Sequence, residues 1–198
     1  MKRKAEIKRK SYETNISLSL CLEGEGNINI KSGIGFFDHM LTLLAAHGSF
    51  DMELECIGDL HVDGHHTVED IGIVLGKAFR EALGDKKGIT RYGTFFIPMD
   101  ESLAMVSVDI SGRPYLHYDT PTMSAQLGDF DTQLVEEFLR AFCIHAGLTL
   151  HARVLYGKNV HHIIEAIFKA LGHALRIAVA LQPDTSKMQI PSTKGILD

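Results

Sequence analysis

His65-His66-Thr67-Val68-Glu69 and His161-His162-Ile163-Ile164-Glu165 spell H-H-x-x-E twice in one chain, and each opens a run with apolar residues at helical spacing. On a helix, neighbouring side chains diverge by about 100°, whereas a residue three or four positions on returns to the same face. One histidine and the glutamate of each copy can therefore hold one metal ion while the other histidine reaches a second. The helix start suits this use, because the positive end of its dipole opposes imidazole protonation and favours the neutral form that binds metal. A single H-H-x-x-E could be no more than polar residues at a helix entrance. Two copies in one register point to a site for two metals.

Working outward from the motifs, the repeat extends over most of the chain. Glu13 to Gly24 returns as Glu101 to Gly112, with the glutamate, the polar–apolar alternation and the glycine kept. The helix ending Ala45-Ala46-His47-Gly48 returns as Phe138 to Gly147, and the helix from His65 to Leu83 returns from His161. Strand-period stretches are predicted over 3–10, 15–22, 27–31, 50–57 and 148–155. In the first motif helix Val68, Ile71, Leu75, Phe79 and Ala82 mark one face. Each half reads β-β-β-α-β-α. The predicted fold class is therefore α/β, an α+β two-layer sandwich built by internal duplication, with each sheet covered by helices on one face. The boundary is expected near Lys86-Lys87-Gly88. Residues 1–88 and 89–198 are read as two pseudo-repeat halves of one compact unit, the second carrying a polar tail.

Composition narrows the function classes. The formal net charge of −5 gives no electrostatic case for nucleic acid or an anionic membrane. The basic run Lys2 to Lys10 alternates with Ala5 and Ile7, as an exposed strand face does. No run of 18 apolar residues and no signal-peptide pattern is present, so a cytoplasmic protein is expected. Cys21, Cys56 and Cys143 are odd in number and widely spaced, which argues against a disulfide framework or a cysteine-ligated zinc. The eleven histidines, by contrast, are in excess and sit near the motifs.

Other polar groups are candidates for an anionic substrate: Arg91, Arg113, Lys169 and Ser192-Thr193-Lys194, whose guanidinium, ammonium and hydroxyl donors suit phosphate or carboxylate. Helical spacing places His39 and His47 on roughly the same face, two turns apart. Glu13 and Asp100-Glu101 begin strands, where a carboxylate is either an acid–base group or a surface charge. At this level a dinuclear hydrolase of a phosphorylated substrate and a metal-storage protein are both open.

Several stretches together resemble the imidazoleglycerol-phosphate dehydratase family of histidine biosynthesis: Gly35-Phe36-Phe37-Asp38-His39-Met40-Leu41, Gly58 to Asp70, Ser111-Gly112-Arg113-Pro114-Tyr115, Asn159 to Glu165 and Pro191-Ser192-Thr193-Lys194-Gly195. The resemblance is to the monofunctional form. It implies a hydro-lyase that removes water from D-erythro-1-(imidazol-4-yl)glycerol 3-phosphate by way of a metal-stabilised imidazolate. Two Mn²⁺ ions per site are implied, one on His39, His66, His161 and Glu165, the other on His65, Glu69, His162 and Glu137. The family's pattern at that last ligand is V-E-H-F, whereas this chain reads Val135-Glu136-Glu137-Phe138. The resemblance further implies that Glu13, His47, Glu69 and Glu165 act in catalysis. Substrate would be held by Glu13, His39, His47, His65, His66, Glu69, Arg91, Arg113, His161, Lys169, Ser192, Thr193 and Lys194. The implied assembly is a homo-oligomer of twenty-four subunits with active sites between them, and no nucleic acid or membrane partner.

Overall fold

The computed structural model describes residues 2–123, 126–182, 189–195 and 197. Its first half runs β1 (Lys4–Lys10), β2 (Thr14–Cys21), β3 (Ile28–Lys31), α1 (Gly35–Gly48), β4 (Asp51–Gly58) and α2 (His65–Leu83). The second half repeats the order as β5 (Tyr92–Met99), β6 (Ser102–Asp109), β7 (Tyr115–Asp119), α3 (Leu134–Ala146), β10 (Thr149–Tyr156) and α4 (Val160–Val179). A short hairpin, β8 (Gln126–Leu127) with β9 (Phe130–Asp131), is inserted before α3. The predicted β-β-β-α-β-α pattern is thus present twice.

The two sheets have equivalent strand orders, β1-β2-β4-β3 and β5-β6-β10-β7. In each, the last pair is parallel and the rest antiparallel. A parallel neighbour requires a crossover, and α1 and α3 supply it. Alternation sets the buried face: Ile16, Leu18 and Leu20 of β2, and Ala104, Val106 and Val108 of β6, point inward. On β1 the residues Lys4, Glu6, Lys8 and Lys10 are exposed, so the basic N-terminal run is a solvated strand face.

The halves meet through their helices. α2 packs on β1 and β2 and α4 on β5 and β6, while α2 lies against α3 and α1 against α4. Four helices therefore lie between two sheets, around one apolar core that includes Phe37, Phe79, Phe138, Phe142 and Phe168. The helix crossings are close because glycine leaves room for them. A Cβ on Gly172 of α4 would lie 2.6 Å from the Leu44 carbonyl oxygen and 2.9 Å from the Gly48 nitrogen of α1. On α2, a Cβ at Gly76 would lie 2.8 Å from the Phe142 oxygen and 2.9 Å from the Ala146 nitrogen of α3.

These paired contacts fix the repeat position by position. His47 packs against Gly172 as His145 packs against Gly76, and the left-handed C-caps Ser49 and Gly147 correspond. Matching Gly48 to Gly147, as the sequence suggests, is out by one residue.

Because the neighbours of Gly172 are backbone atoms that cannot yield, Gly172→Val is expected to destabilise the protein by roughly 1–3 kcal/mol through overpacking. Urea denaturation monitored by circular dichroism reads this as a lower midpoint.

Candidate metal and substrate site

Both motif helices begin in the same way. Asp63 Oδ1 accepts from the His65 N–H at 2.7 Å, and Asn159 Oδ1 from the His161 N–H at 3.0 Å. These side chains satisfy a donor that the first turn leaves free, so each histidine pair stands on a defined helix end.

At the start of α4, His161 Nε2 lies 3.0 Å from Glu165 Oε2, and His39 Nε2 of α1 lies 3.5 Å from the same oxygen. The ligand atoms of His39, His161 and Glu165 all fall within 4.8 Å of one another. Donors about 2.1 Å from one ion stand at most about 4.2 Å apart, so this trio fits a divalent cation after a small side-chain adjustment. Lys169 takes the other oxygen of Glu165, Oε1, at 2.6 Å. Burial pushes the Glu165 carboxyl upward, but the Lys169 ammonium and then the two imidazoles outweigh it and hold it below its ordinary value. The carboxylate form, which is the ligating one, is thereby favoured.

The second histidine of each motif points elsewhere. The rings of His65 and His66 stand at 90° and those of His161 and His162 at 80°, as the helical divergence predicts. His66 Nδ1 is 2.9 Å from Asp59 Oδ2, and His162 Nδ1 is 2.7 Å from Glu101 Oε2. Each carboxylate fixes one ring nitrogen and leaves Nε2 for another use. The hydrogen bond raises the pKa of each imidazole, and holds each carboxyl below its usual range.

The repeat is broken at the carboxylates that begin β2 and β6. Glu101 also accepts from the backbone N–H groups of Lys158 and Asn159, so it is tied into the β10–α4 loop. Its counterpart Glu13 has, among the described residues, only the distant edge of His66 as a side-chain partner, 3.7 Å away, and is exposed. One copy of the glutamate became structural and the other stayed available.

The other predicted ligands lie at the start of α2 and α3. His65 Nε2 is 3.8 Å from Glu69 Oε2. His65 and Glu137 line a common cleft of about 790 Å³, walled by Phe36, Leu60 and Phe130. His39, His161 and Glu165 lie outside this cleft, although Phe36 at its edge meets the His161 ring at 5.2 Å.

The anion-binding candidates divide into two places. Arg91 grips Asp109 with Nε and a terminal nitrogen at 2.7 and 3.2 Å, and donates to the Pro191 carbonyl at 2.8 Å. This anchors the segment carrying Ser192, Thr193 and Lys194 beside Arg113, whose guanidinium is 3.9 Å from Asp109 and largely exposed. Lys169 instead approaches Met99, at the opposite end of β5 from Arg91, roughly 23 Å away at about 3.3 Å per residue. Within one chain Lys169 therefore belongs to the metal trio rather than to the arginine cluster.

His47 Nδ1 lies 3.1 Å from His173 Nε2, and the His173 ring stacks on Phe95 with centroids 4.2 Å apart. Burial first, then the neighbouring His173 and Lys169, lower the His47 pKa; burial also lowers that of His173. The sequence reading assigned no role to Asp59, which lies within the Gly58 to Asp70 stretch, or to Asp109 and His173; each meets another site side chain, Asp59 with His66, Asp109 with Arg91 and His173 with His47.

Fold and site together define a duplicated α/β protein with a His/His/Glu group able to hold a divalent ion. The family model for imidazoleglycerol-phosphate dehydratase matches residues 32–175. An imidazoleglycerol-phosphate dehydratase of Clostridium botulinum is 62% identical over 98% of this chain and 97% of its own length. One from Caldanaerobacter subterraneus is 60% identical over 98% of this chain and all of its own. The crystal structure of imidazoleglycerol-phosphate dehydratase from Staphylococcus aureus aligns with a TM-score of 0.83 and 45% identity, covering 90% of this chain and 99% of that one. The Pyrococcus furiosus structure in complex with (S)-C348 also has a TM-score of 0.83, at 38% identity, covering 96% and 100%. The chain belongs to the imidazoleglycerol-phosphate dehydratase family.

The depressed His47 and His173 values set an acid limit. The unfolded chain protonates near the ordinary value of 6.5, whereas the folded pair resists the charge, so stability is lost as pH falls below about 6.5 toward the folded values. His173→Gln, which removes one of these groups and relieves the other, is expected to make the stability loss between pH 7.5 and 5.5 shallower in urea unfolding.

Proposed function

We propose that this protein converts D-erythro-1-(imidazol-4-yl)glycerol 3-phosphate to 3-(imidazol-4-yl)-2-oxopropyl phosphate, the dehydration step of histidine biosynthesis, as a hydro-lyase. Membership of the family supports the reaction. The observation on this chain that carries it is the His39–His161–Glu165 trio, whose ligand atoms all lie within 4.8 Å of one another.

The reaction removes the hydroxyl from the carbon attached to the ring and a proton from the carbon beside it, leaving an enol that becomes the ketone. That proton is on an unactivated carbon, so the ring must accept electron density. Two divalent ions, taken here as Mn²⁺, would supply Lewis acidity toward the substrate imidazole. His39, His161 and Glu165 would hold one with His66, and His65, Glu69 and Glu137 the other with His162. All of these are nitrogen or oxygen donors, which suit a hard or intermediate ion rather than a thiophilic one. The buried thiols of Cys56 and Cys143, pushed up to about 11 and about 12, are not ligands in this reading.

Glu13 would exchange a proton with substrate; its exposed carboxylate, held by no backbone donor among the described residues, supports that role. His47 is the second acid–base group, kept neutral by burial and so able to accept a proton near pH 7. Arg113, with Ser192, Thr193 and Lys194, would bind the phosphate, oriented by the Arg91–Asp109 pair; this remote binding energy positions the ring. Lys169 would reach a substrate only at the metal end.

His66 and His162 project away from the trios of their own chain. Their place in the ligand sets therefore requires other copies, which supports a homo-oligomer with sites between subunits, twenty-four in the assembly implied by the resemblance. Exposed Tyr12, Leu60 and Val62 beside Glu13 and His66 are apolar surface that such a contact would cover. Among the described residues no helix is long and apolar enough to cross a membrane, in keeping with a cytoplasmic enzyme.

Incubating manganese-loaded protein with the substrate, and following ketone and inorganic phosphate together, tests the activity. Ketone without phosphate, abolished by chelator and restored by Mn²⁺, is expected; phosphate release would instead indicate a hydrolase. Metal-linked assembly predicts in addition that chelation lowers the particle mass seen by light scattering. An unchanged mass would remove the metals from the interface.

A further inference from the structure

The glutamates that begin β2 and β6 share a place in the repeat but not a set of partners. The Glu101 carboxylate is occupied on both oxygens. Its Oε1 accepts from the Ser102 hydroxyl at 2.9 Å and from the Lys158 and Asn159 N–H groups at 3.2 and 2.8 Å, and its Oε2 meets His162 Nδ1 at 2.7 Å. Glu13 is instead held through its backbone. Its N–H donates to Ser11 Oγ at 3.2 Å, and its carbonyl accepts from the Asp59 N–H at 3.0 Å.

The two side chains that bind Glu101 have counterparts beside Glu13, and two aspartates intercept them. Thr14 stands where Ser102 stands, buried as Ser102 is, and its hydroxyl donates to Asp70 Oδ2. Asp70 is only 5% exposed, and the Arg9 guanidinium of β1 donates to the same oxygen. In the second half the position of Asp70 is Ala166. With no carboxylate there, the Ser102 hydroxyl turns to its neighbour Glu101. His66 stands where His162 stands, and its Nδ1 is taken by Asp59 Oδ2 at 2.9 Å. Asp59 belongs to the loop between β4 and α2, which is longer than the one between β10 and α4 and so supplies a carboxylate that the second half lacks.

We propose, resting on the reading of Glu13 as an acid–base group, that Asp70 and Asp59 are positioning residues for Glu13. Asp70 takes up the Thr14 hydroxyl and Asp59 the His66 imidazole, the two donors that would otherwise close on the Glu13 carboxylate. A carboxylate whose lone pairs are filled by fixed donors is a poor proton acceptor. Arg9 belongs to the same device, because a buried carboxylate without a paired charge is costly. A merely structural Asp70 would tie α2 to β2 through the same hydrogen bond, and the two roles part at Thr14. If Asp70 acts by withdrawing the hydroxyl, deleting the hydroxyl does no harm to turnover. If the bond itself matters, deleting either partner does the same harm.

The test is steady-state kinetics on the manganese-loaded protein, with manganese content measured on the same samples. Asp70→Ala, which reproduces the second-half arrangement, is expected to lower kcat by about tenfold or more, with KM and manganese content little changed. Thr14→Val, nearly isosteric, should keep the wild-type kcat, and combined with Asp70→Ala it should restore kcat, because no hydroxyl remains to occupy Glu13. An equal loss in Thr14→Val and Asp70→Ala, a double variant that stays slow, or a fall in kcat that tracks lost manganese would overturn the proposal. Should Asp70→Ala not fold, Asp70→Asn keeps an acceptor for the hydroxyl and is expected to hold kcat near wild type; a loss there of about tenfold or more would overturn the proposal as well. Glu13→Gln is expected to lose about 100-fold or more, a loss that Asp70→Ala does not deepen. Undiminished turnover in Glu13→Gln would overturn the acid–base reading itself.

Discussion

The structure depends on the backbone-to-backbone approach of α2 to α3 at Gly72 and Gly76, and of α4 to α1 at Gly172. Helices normally pack with their axes about 8–10 Å apart, and a glycine at the crossing lets backbone atoms meet without a side chain between them. Each crossing joins a motif helix of one half to the crossover helix of the other. His39 can meet His161 and Glu165 only because α1 is held against α4, and the start of α3 faces the start of α2 for the same reason. The apolar faces that the duplicated sheets leave uncovered are thereby buried against each other, and the functional side chains are gathered at helix ends where backbone donors and the dipole are already directed.

Within that frame each motif divides its two histidines between different duties. His161 and His65 face the carboxylate on their own helix. His162 and His66 turn about a quarter of a revolution away and are gripped through Nδ1 by Glu101 and Asp59. A carboxylate on one nitrogen fixes the ring and strengthens the other nitrogen as a donor. The same copying event left two glutamates, and only Glu13 escaped recruitment as a backbone acceptor. Symmetry built the scaffold, and Glu13, Glu137 and Lys169 are positions at which the two halves depart from it.

Much of this was legible in the sequence because it follows from periodicity. The helix from His65 to Leu83 was read with its observed bounds, since the motif and the apolar face leave little freedom. The repeat was legible as well, but its register was not. Glycine was matched to glycine, whereas the left-handed cap of α1 is Ser49 at φ 55°, which no propensity rule selects. The repeat match over Phe138 to Gly147 covers only part of α3, which begins at Leu134, where Asp131 accepts from the Gln133 N–H after a hairpin too short to give a strand pattern. Of the site, the ligand types could be read and the partners could not. Whether Arg91 is free or clasped by Asp109 is decided by the left-handed turn at Arg91 and by strand pairing that brings distant segments together.

The geometry also constrains how copies would assemble. A patch that presents an imidazole, such as His66 with Asp59, and a trio that lacks one, such as His39, His161 and Glu165, are different surfaces of the same chain. A contact between different surfaces is heterologous, and propagates until rotation closes it into a ring or fails to close and makes a filament. A second complementary pair, His162 toward the set of Glu137, His65 and Glu69, imposes the same rule at the pseudo-equivalent place. Closed symmetry would then complete every proposed site, whereas a truncated assembly would leave imidazoles without ions at its edge. In the proposed two-metal reading, that difference would link assembly to metal occupancy through the same side chains.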